Sequence, residues 1–187
     1  MLKTIITKRL NRRAEQSNWQ EVLNVLGKLN GKTIADIGSG GGFFTLKFSK
    51  AVGKQGKVYA IDNDKTKLEF IRSTIIEDKP SNIELILSSE KGISLAEDSV
   101  DLFFSRNSFH HIPNPTEYFS GVKKFLKNNG RIVIIDYKKT KKFHFINLFG
   151  HYSHEKDIVF SLENAGYKHI KRVFSLDDQS FNIFEKK

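Results

Sequence analysis

The chain has 187 residues, and its 31 lysines and arginines outweigh 21 aspartates and glutamates to give a formal net charge of +10. That length suits one domain able to bury its own core without covalent staples. Cysteine is absent, which excludes disulfides, zinc–thiolate centres and any chemistry that needs a thiol nucleophile or ligand.

No run of eighteen uncharged apolar residues occurs, and the start MLKTIITKRLNRR is basic without an apolar stretch of signal-peptide length, so a soluble cytoplasmic protein is expected. Most of the excess charge sits in two runs. Lys3, Lys8, Arg9, Arg12 and Arg13 form the first, in a basic N-terminal segment taken as residues 1–16, and Lys138, Lys139, Lys141 and Lys142 form the second. The second run has no arginine to fork onto phosphates, which favours a solvated face or an acidic small substrate over nucleic acid.

From residue 17 onward, short β-branched runs alternate with longer amphipathic ones. Ser17 and Gln20 read as a capping box opening a helix that carries Trp19, Val22, Leu23, Leu26 and Leu29 on one face. TIADI (33–37) is a strand, a helix follows from Phe43 to Val52, and KVYAID (57–62) is the next strand. Asp64 caps a third helix carrying Leu68, Ile71 and Ile75, closed by Pro80. IELIL (83–87) and VDLFFS (100–105) are two further strands.

Asn114 and Pro115 then start a helix that turns Phe119, Val122 and Leu126 inward and ends at Asn129 and Gly130. RIVIID (131–136) is the fifth strand, and Ser153 caps a last helix, with Ile158, Val159 and Leu162, that stops at Gly166. HIKRVFS (169–175) and SFNIFEK (180–186), joined through Asp177 and Asp178, form an antiparallel hairpin. Repeated strand–helix–strand units imply a doubly wound α/β sheet in one domain over residues 17–187.

Four glycines crowd the turn after the first strand, at 38, 40, 41 and 42. A dinucleotide fingerprint G-x-G-x-x-G begun at Gly38 needs glycine at 43, where this chain has phenylalanine. The spacing present is D-x-G-x-G-x-G, from Asp36 through Gly38, Gly40 and Gly42. A carboxylate here repels a pyrophosphate but attracts an ammonium group. S-adenosylmethionine fits: its carboxylate can take the glycine-loop amides, its α-amino group can approach Asp36, and its adenosine can lie on backbone that lacks Cβ atoms. Asp62, ending the second strand, is placed to grip the ribose hydroxyls.

IADIGSGGGFFT, KVYAIDND, SVDLFFSRNSFHHI and FLKNNGRIVIIDY together resemble the class I S-adenosylmethionine-dependent methyltransferases, in particular the small-molecule group with quinone-biosynthesis C-methyltransferases and arsenite methyltransferase-like proteins. The resemblance covers residues 14–187 and implies a Rossmann-like seven-stranded sheet of order 3-2-1-4-5-7-6, with helices on both faces. It further implies that Asp36, Gly38, Ser39, Gly40 and Gly42 line the methionine end and that Asn63 flanks the adenine. Ser89 and Glu90 would stand at the adenine edge, where the family has an acid followed by a small residue, and Arg106 and Asn107 near the methyl group.

Methyl transfer from a sulfonium is an in-line displacement that leaves S-adenosylhomocysteine and asks mainly for alignment and dryness. For a hydroxyl or phenol acceptor a base helps, and His110 and His111 are the candidates, unless they only orient their loop. Phe43, Phe44 and Phe109 either wall the pocket or belong to the core. Without cysteine, arsenite transfer and covalent cytosine methylation are not inherited. An N-P-P-Y segment for a flipped adenine is replaced by Ser105-Arg106-Asn107-Ser108. His144, His151 and His154 lie beside the lysine run, and no metal site is expected from them; residues 138–154 read as a flap over the substrate, able to receive an acidic or aromatic molecule or to lie on a membrane surface. A small-molecule acceptor is thus the expectation, and an RNA methyltransferase or a noncatalytic S-adenosylmethionine-binding subunit are the alternatives.

Overall fold

A computed structural model describes residues 2–78, 80–89, 92–139 and 150–187. Seven strands, β1 (Thr33–Ile37), β2 (Lys57–Asp62), β3 (Ile83–Leu87), β4 (Val100–Arg106), β5 (Leu126–Tyr137), β6 (Tyr167–Val173) and β7 (Gln179–Lys186), follow the order β3-β2-β1-β4-β5-β7-β6. That is the order the resemblance implies. The chain divides into two compact units, Met1–Ile93 and Ser94–Lys187.

In the first unit β1 pairs with β2 and β2 with β3, all parallel, so Asp36 and Asp62 both arrive at carboxyl ends of strands. The helices are α1 (Leu2–Glu15), α2 (Trp19–Leu26), α3 (Phe43–Val52) and α4 (Lys65–Asp78). Asp64 accepts the Thr66 N–H at 2.9 Å and so caps α4 as expected. Leu68 and Ile71 of α4 pack on Ala60 of β2, with Ile75, Ile83 and Leu85 against them.

Two expectations fail here. Ser17, whose hydroxyl donates back to the Ala14 carbonyl of α1 at 2.5 Å, is not the N-cap of α2; that position falls to Asn18, without a side-chain cap. The same helix stops at Gly27, whose φ of +76° ends the right-handed turn, so Leu29 is buried from the following loop. The N-terminal segment, read only as basic, is the helix α1. Its Thr7 is buried while Lys8, Arg9, Arg12 and Arg13 are exposed.

The second unit runs β4 parallel to β5, with β7 antiparallel to both β5 and β6, which confirms the terminal hairpin. Helices α5 (Pro115–Val122) and α6 (Glu155–Asn164) belong to it, and the buried Tyr167 hydroxyl of β6 donates to the Phe119 carbonyl of α5 at 2.7 Å. The Asn114 helix is shorter than expected. It ends at Val122 and passes through a 3₁₀ turn, Lys123–Phe125, because Leu126 already pairs with Val100 as the first residue of β5. Asn114 itself supplies no side-chain cap, and its amide reaches only Glu117 Oε2 at 3.4 Å. Ser153 does not cap α6 either; its hydroxyl is committed to Asp136. Among the described residues no helix is long and apolar enough to cross a membrane.

Candidate functional site

The first unit gathers Asp36, Ser39 and Asp62 around the glycine turn. Asp36 is buried, and Thr45 of α3 donates its hydroxyl to Oδ2 at 2.6 Å. Burial pushes the Asp36 carboxyl up to about 7; the Thr45 hydrogen bond opposes this and the nearby Asp62 charge adds to it. Asp62 is buried as well. Its Oδ2 accepts the Gly40 N–H at 2.9 Å and its Oδ1 the Asp64 N–H at 2.9 Å, with Lys67 Nζ at 3.2 Å.

The turn follows from its sequence. Gly38 and Ser39 donate their N–H groups to the Ile61 carbonyl at 2.8 and 2.9 Å, which ties the turn to β2. Gly42 has φ of +82°, and a Cβ there would meet Ile71 Cγ1 at 2.8 Å. At Gly41 a Cβ would run into the Asn11 side chain, whose Nδ2 donates to the Gly41 carbonyl at 2.7 Å. So two of the four glycines are required by the chain's own packing. At Gly40 the nearest side-chain atom is Leu10 Cδ1, at 3.6 Å, an ordinary contact.

Ser39 supplies the test of whether these residues suit S-adenosylmethionine. Its hydroxyl is buried, with no hydrogen-bond partner among the described residues. A buried hydroxyl without a partner costs about 1–3 kcal/mol. A carboxylate arriving at the turn would satisfy it, and an ammonium group would find Asp36, so the residues fit the cofactor. Asn63, the residue after Asp62, is exposed, and Ser89 forms a small bridge with Gly92 just after β3. Glu90 lies outside the described residues.

In the second unit β4 delivers Arg106 and Asn107. Asn107 has φ of +54°, a left-handed conformation that asparagine tolerates better than most residues, and its N–H donates to the Ile135 carbonyl at 2.8 Å. Gln179 of β7 joins the two: its Oε1 accepts from Arg106 Nη2 at 2.8 Å and its Nε2 donates to Asn107 Oδ1. Burial lowers the Arg106 guanidinium from its ordinary value.

His110 and His111 lie on a 3₁₀ turn, Phe109–His111, just beyond. His110 Nδ1 is 2.8 Å from Asp136 Oδ1, and its backbone N–H donates to Asp136 Oδ2 at 3.1 Å. Ser153 donates to the same Oδ2 at 2.7 Å and the Tyr137 N–H to Oδ1 at 3.0 Å. Four donors therefore solvate a fully buried carboxylate, and with Nδ1–H bound to it His110 keeps its lone pair on Nε2. Phe109 stacks on Phe119 at 5.9 Å and is core; Phe44 is core too, while Phe43 meets the Trp19 edge at 6.0 Å.

Sequence reasoning missed Asp136, Gln179 and the true place of His151. Asp136 carries the same signal that singled out Asp36 and Asp62, an acid closing an apolar strand. His151 does not group with His154, which packs on Tyr152 at 5.5 Å; it lies against His110 and His111, ring centroids at 5.4 and 5.3 Å. His144 and most of the expected flap fall outside the described residues.

Residues 28–176 match the family model described as a methyltransferase domain, and the chain belongs to that family. Within it, the sheet order and the glycine turn are those of the class I S-adenosylmethionine-dependent methyltransferases. A crystal structure of a SAM-dependent methyltransferase from Aquifex aeolicus is similar at a TM-score of 0.86 and 28% identity, over 97% of each chain. A probable cobalt-precorrin-6B C(15)-methyltransferase (decarboxylating) of Thermoplasma volcanium is 34% identical over 60% of this chain and 54% of its own. Demethylmenaquinone methyltransferase of Lactococcus lactis is 27% identical over 59% of this chain and 44% of its own. The chain thus spans about half the length of these curated relatives.

Proposed function

We propose that the chain transfers a methyl group from S-adenosylmethionine to a small organic acceptor. Supporting the donor half is the Ser39 hydroxyl, buried without a partner among the described residues in a turn flanked by the buried carboxylates Asp36 and Asp62. When bound, the cofactor supplies an electrophilic methyl on sulfur; the acceptor's lone pair forms the new bond as the C–S bond breaks, and sulfur keeps the electron pair.

This chain's residues hold and orient. Asp36 takes the α-ammonium, the Ser39 hydroxyl takes the carboxylate, the Gly38, Ser39 and Gly40 N–H groups being already bound within the protein, and Asp62 addresses the ribose once Lys67 yields. On the acceptor side Asp136 fixes the His110 tautomer, so Nε2 is the atom able to take a proton from a hydroxyl. His111 stands beside it, with ring centroids 4.1 Å apart. The two curated relatives are named for cobalt-precorrin and demethylmenaquinone, which supports a small acceptor rather than RNA.

The test is calorimetry with S-adenosylmethionine and S-adenosylhomocysteine, then release of S-adenosylhomocysteine against a panel of phenols, enols and quinols. Binding of both nucleosides with turnover on a member of the panel is expected. Absence of nucleoside binding would overturn the donor reading, and turnover confined to RNA would overturn the acceptor.

A further inference from the structure

One imidazole is enough for a general base, yet this unit brings three together. His110 and His111 come from the 3₁₀ turn after β4, and His151 comes from the approach to α6, forty residues later in the chain. Each offers one ring nitrogen, and the three atoms lie within 4.8 Å of one another. Neighbouring residues on a turn usually point apart, but the His110 and His111 rings face at 4.1 Å.

Behind them Asp136 binds His110 Nδ1 at 2.8 Å, the carboxylate–imidazole pairing that fixes a ligand's tautomer and ring orientation. That carboxylate is fully buried and held by Ser153 and two backbone N–H groups besides, so it cannot turn away. The His110 side chain is only 5% exposed while His111 is exposed, so the cluster has a walled side and a solvent-open side.

We propose that His110, His111 and His151 bind a zinc-class divalent cation, with Asp136 as the carboxylate behind His110. Imidazole suits zinc, cobalt and nickel, whereas calcium and magnesium ask for oxygen donors that this cluster lacks. Zinc–nitrogen bonds of about 2.0–2.1 Å put tetrahedral ligand atoms about 3.3–3.4 Å apart, so the three atoms, within 4.8 Å of one another, need to close by at most about 1.5 Å. Three protein ligands leave a position for an oxygen donor on the open side.

Resting on the methyltransferase reading above, this narrows the acceptor to molecules with an ionisable oxygen, a phenol, an enol or a hydroxy acid, able to take that position as the anion. In the loaded protein His110 Nε2 is then a ligand and no longer takes the acceptor's proton.

The probe is Co²⁺, titrated into chelator-stripped protein and followed by visible absorption. Intense bands of a four- or five-coordinate nitrogen site are expected, saturating at one ion per chain. His151→Ala and His111→Ala should each weaken binding by at least about tenfold, and Asp136→Asn by about 10–100-fold through the second shell. Circular dichroism and S-adenosylmethionine affinity of the two alanine variants are expected to match the parent, which separates ligand loss from misfolding. No bands at millimolar Co²⁺, or binding indifferent to both histidine variants, would overturn the site. Cofactor binding without metal binding sinks this inference alone; metal binding without cofactor binding sinks the donor reading and leaves the cation site standing.

Discussion

The carboxylate of Asp62 accepts the backbone N–H of Gly40 at 2.9 Å, so the acid that ends β2 and the middle of the glycine turn form one hydrogen-bonded unit. Replacing Asp62 with alanine strips acceptors from the Gly40 N–H, the Asp64 N–H and the Lys67 ammonium together. A buried donor left unpaired costs about 1–3 kcal/mol, and loss of the ribose contact is of the same order. Asp62→Ala should therefore lower both the thermal midpoint and the S-adenosylmethionine affinity. Calorimetry that finds the affinity unchanged in a folded variant would assign Asp62 to the turn alone.

Lys67 makes a related prediction of opposite sign. It sits 3.2 Å from Asp62 Oδ1 and is partly exposed, so the pair is worth about 0–1 kcal/mol to stability. It nevertheless occupies a lone pair that a ribose hydroxyl would need. Lys67→Met should leave the fold intact and tighten nucleoside binding by up to about fivefold. Weaker binding in this variant would mean that Lys67 itself contacts the cofactor.

Asp36 is a proton reservoir. Its carboxyl is raised from 3.8 to about 7, chiefly by burial, so between those values the folded chain holds a proton that the unfolded chain has lost. Stability from this group is intact below about pH 3.8, declines as the pH rises through that window, and is fully lost above about 7. Asp36→Asn, always neutral, should flatten that decline when thermal midpoints are compared across the window. An arriving ammonium group favours the ionised form, so cofactor binding near about pH 6 should release a proton. Calorimetry in two buffers of different ionisation enthalpy reads this directly; equal heats would refute the contact.

Gly42 is a packing glycine. Alanine there must hold φ near +82° and press on Ile71 of α4, which packs with Leu68 on Ala60 of β2. Gly42→Ala should cost about 1–3 kcal/mol, read as a lower denaturant midpoint. Alanine at Gly40, where Leu10 stands at 3.6 Å, keeps only the backbone strain and should cost less stability than at Gly42. The reverse ranking would refute the packing account.

What could be read in the sequence was whatever depended on local pattern. Strands ending in Asp36 and Asp62, the glycine spacing and the Asp64 cap all follow from residues a few positions apart. Ser17 and Ser153 misled because a hydroxyl near a helix start can sit one residue before the cap position and donate elsewhere, here to the Ala14 carbonyl and to the buried Asp136. The helix after Asn114 ran too long on paper because Leu126 keeps the helical period while pairing with Val100 as a strand. His151 joins His110 and His111 across about forty positions of chain, a distance that no period or motif spans.

The last prediction separates donor from acceptor chemistry. His110 is held by Asp136 at 2.8 Å in the second unit, whereas Asp36, Ser39 and Asp62, proposed for the donor's ammonium, carboxylate and ribose, belong to the first. His110→Gln retains a side chain able to hydrogen-bond Asp136 but has no basic nitrogen. S-adenosylmethionine affinity should stay within about twofold of the parent, while turnover on an acceptor with an ionisable hydroxyl falls by about 100-fold or more. If His110 takes or organises the acceptor's proton, the deficit should shrink with acceptors already ionised at the assay pH. A deficit constant across acceptors of different acidity would show that His110 only shapes its loop. Lost cofactor affinity in a folded variant would instead assign the residue to the donor.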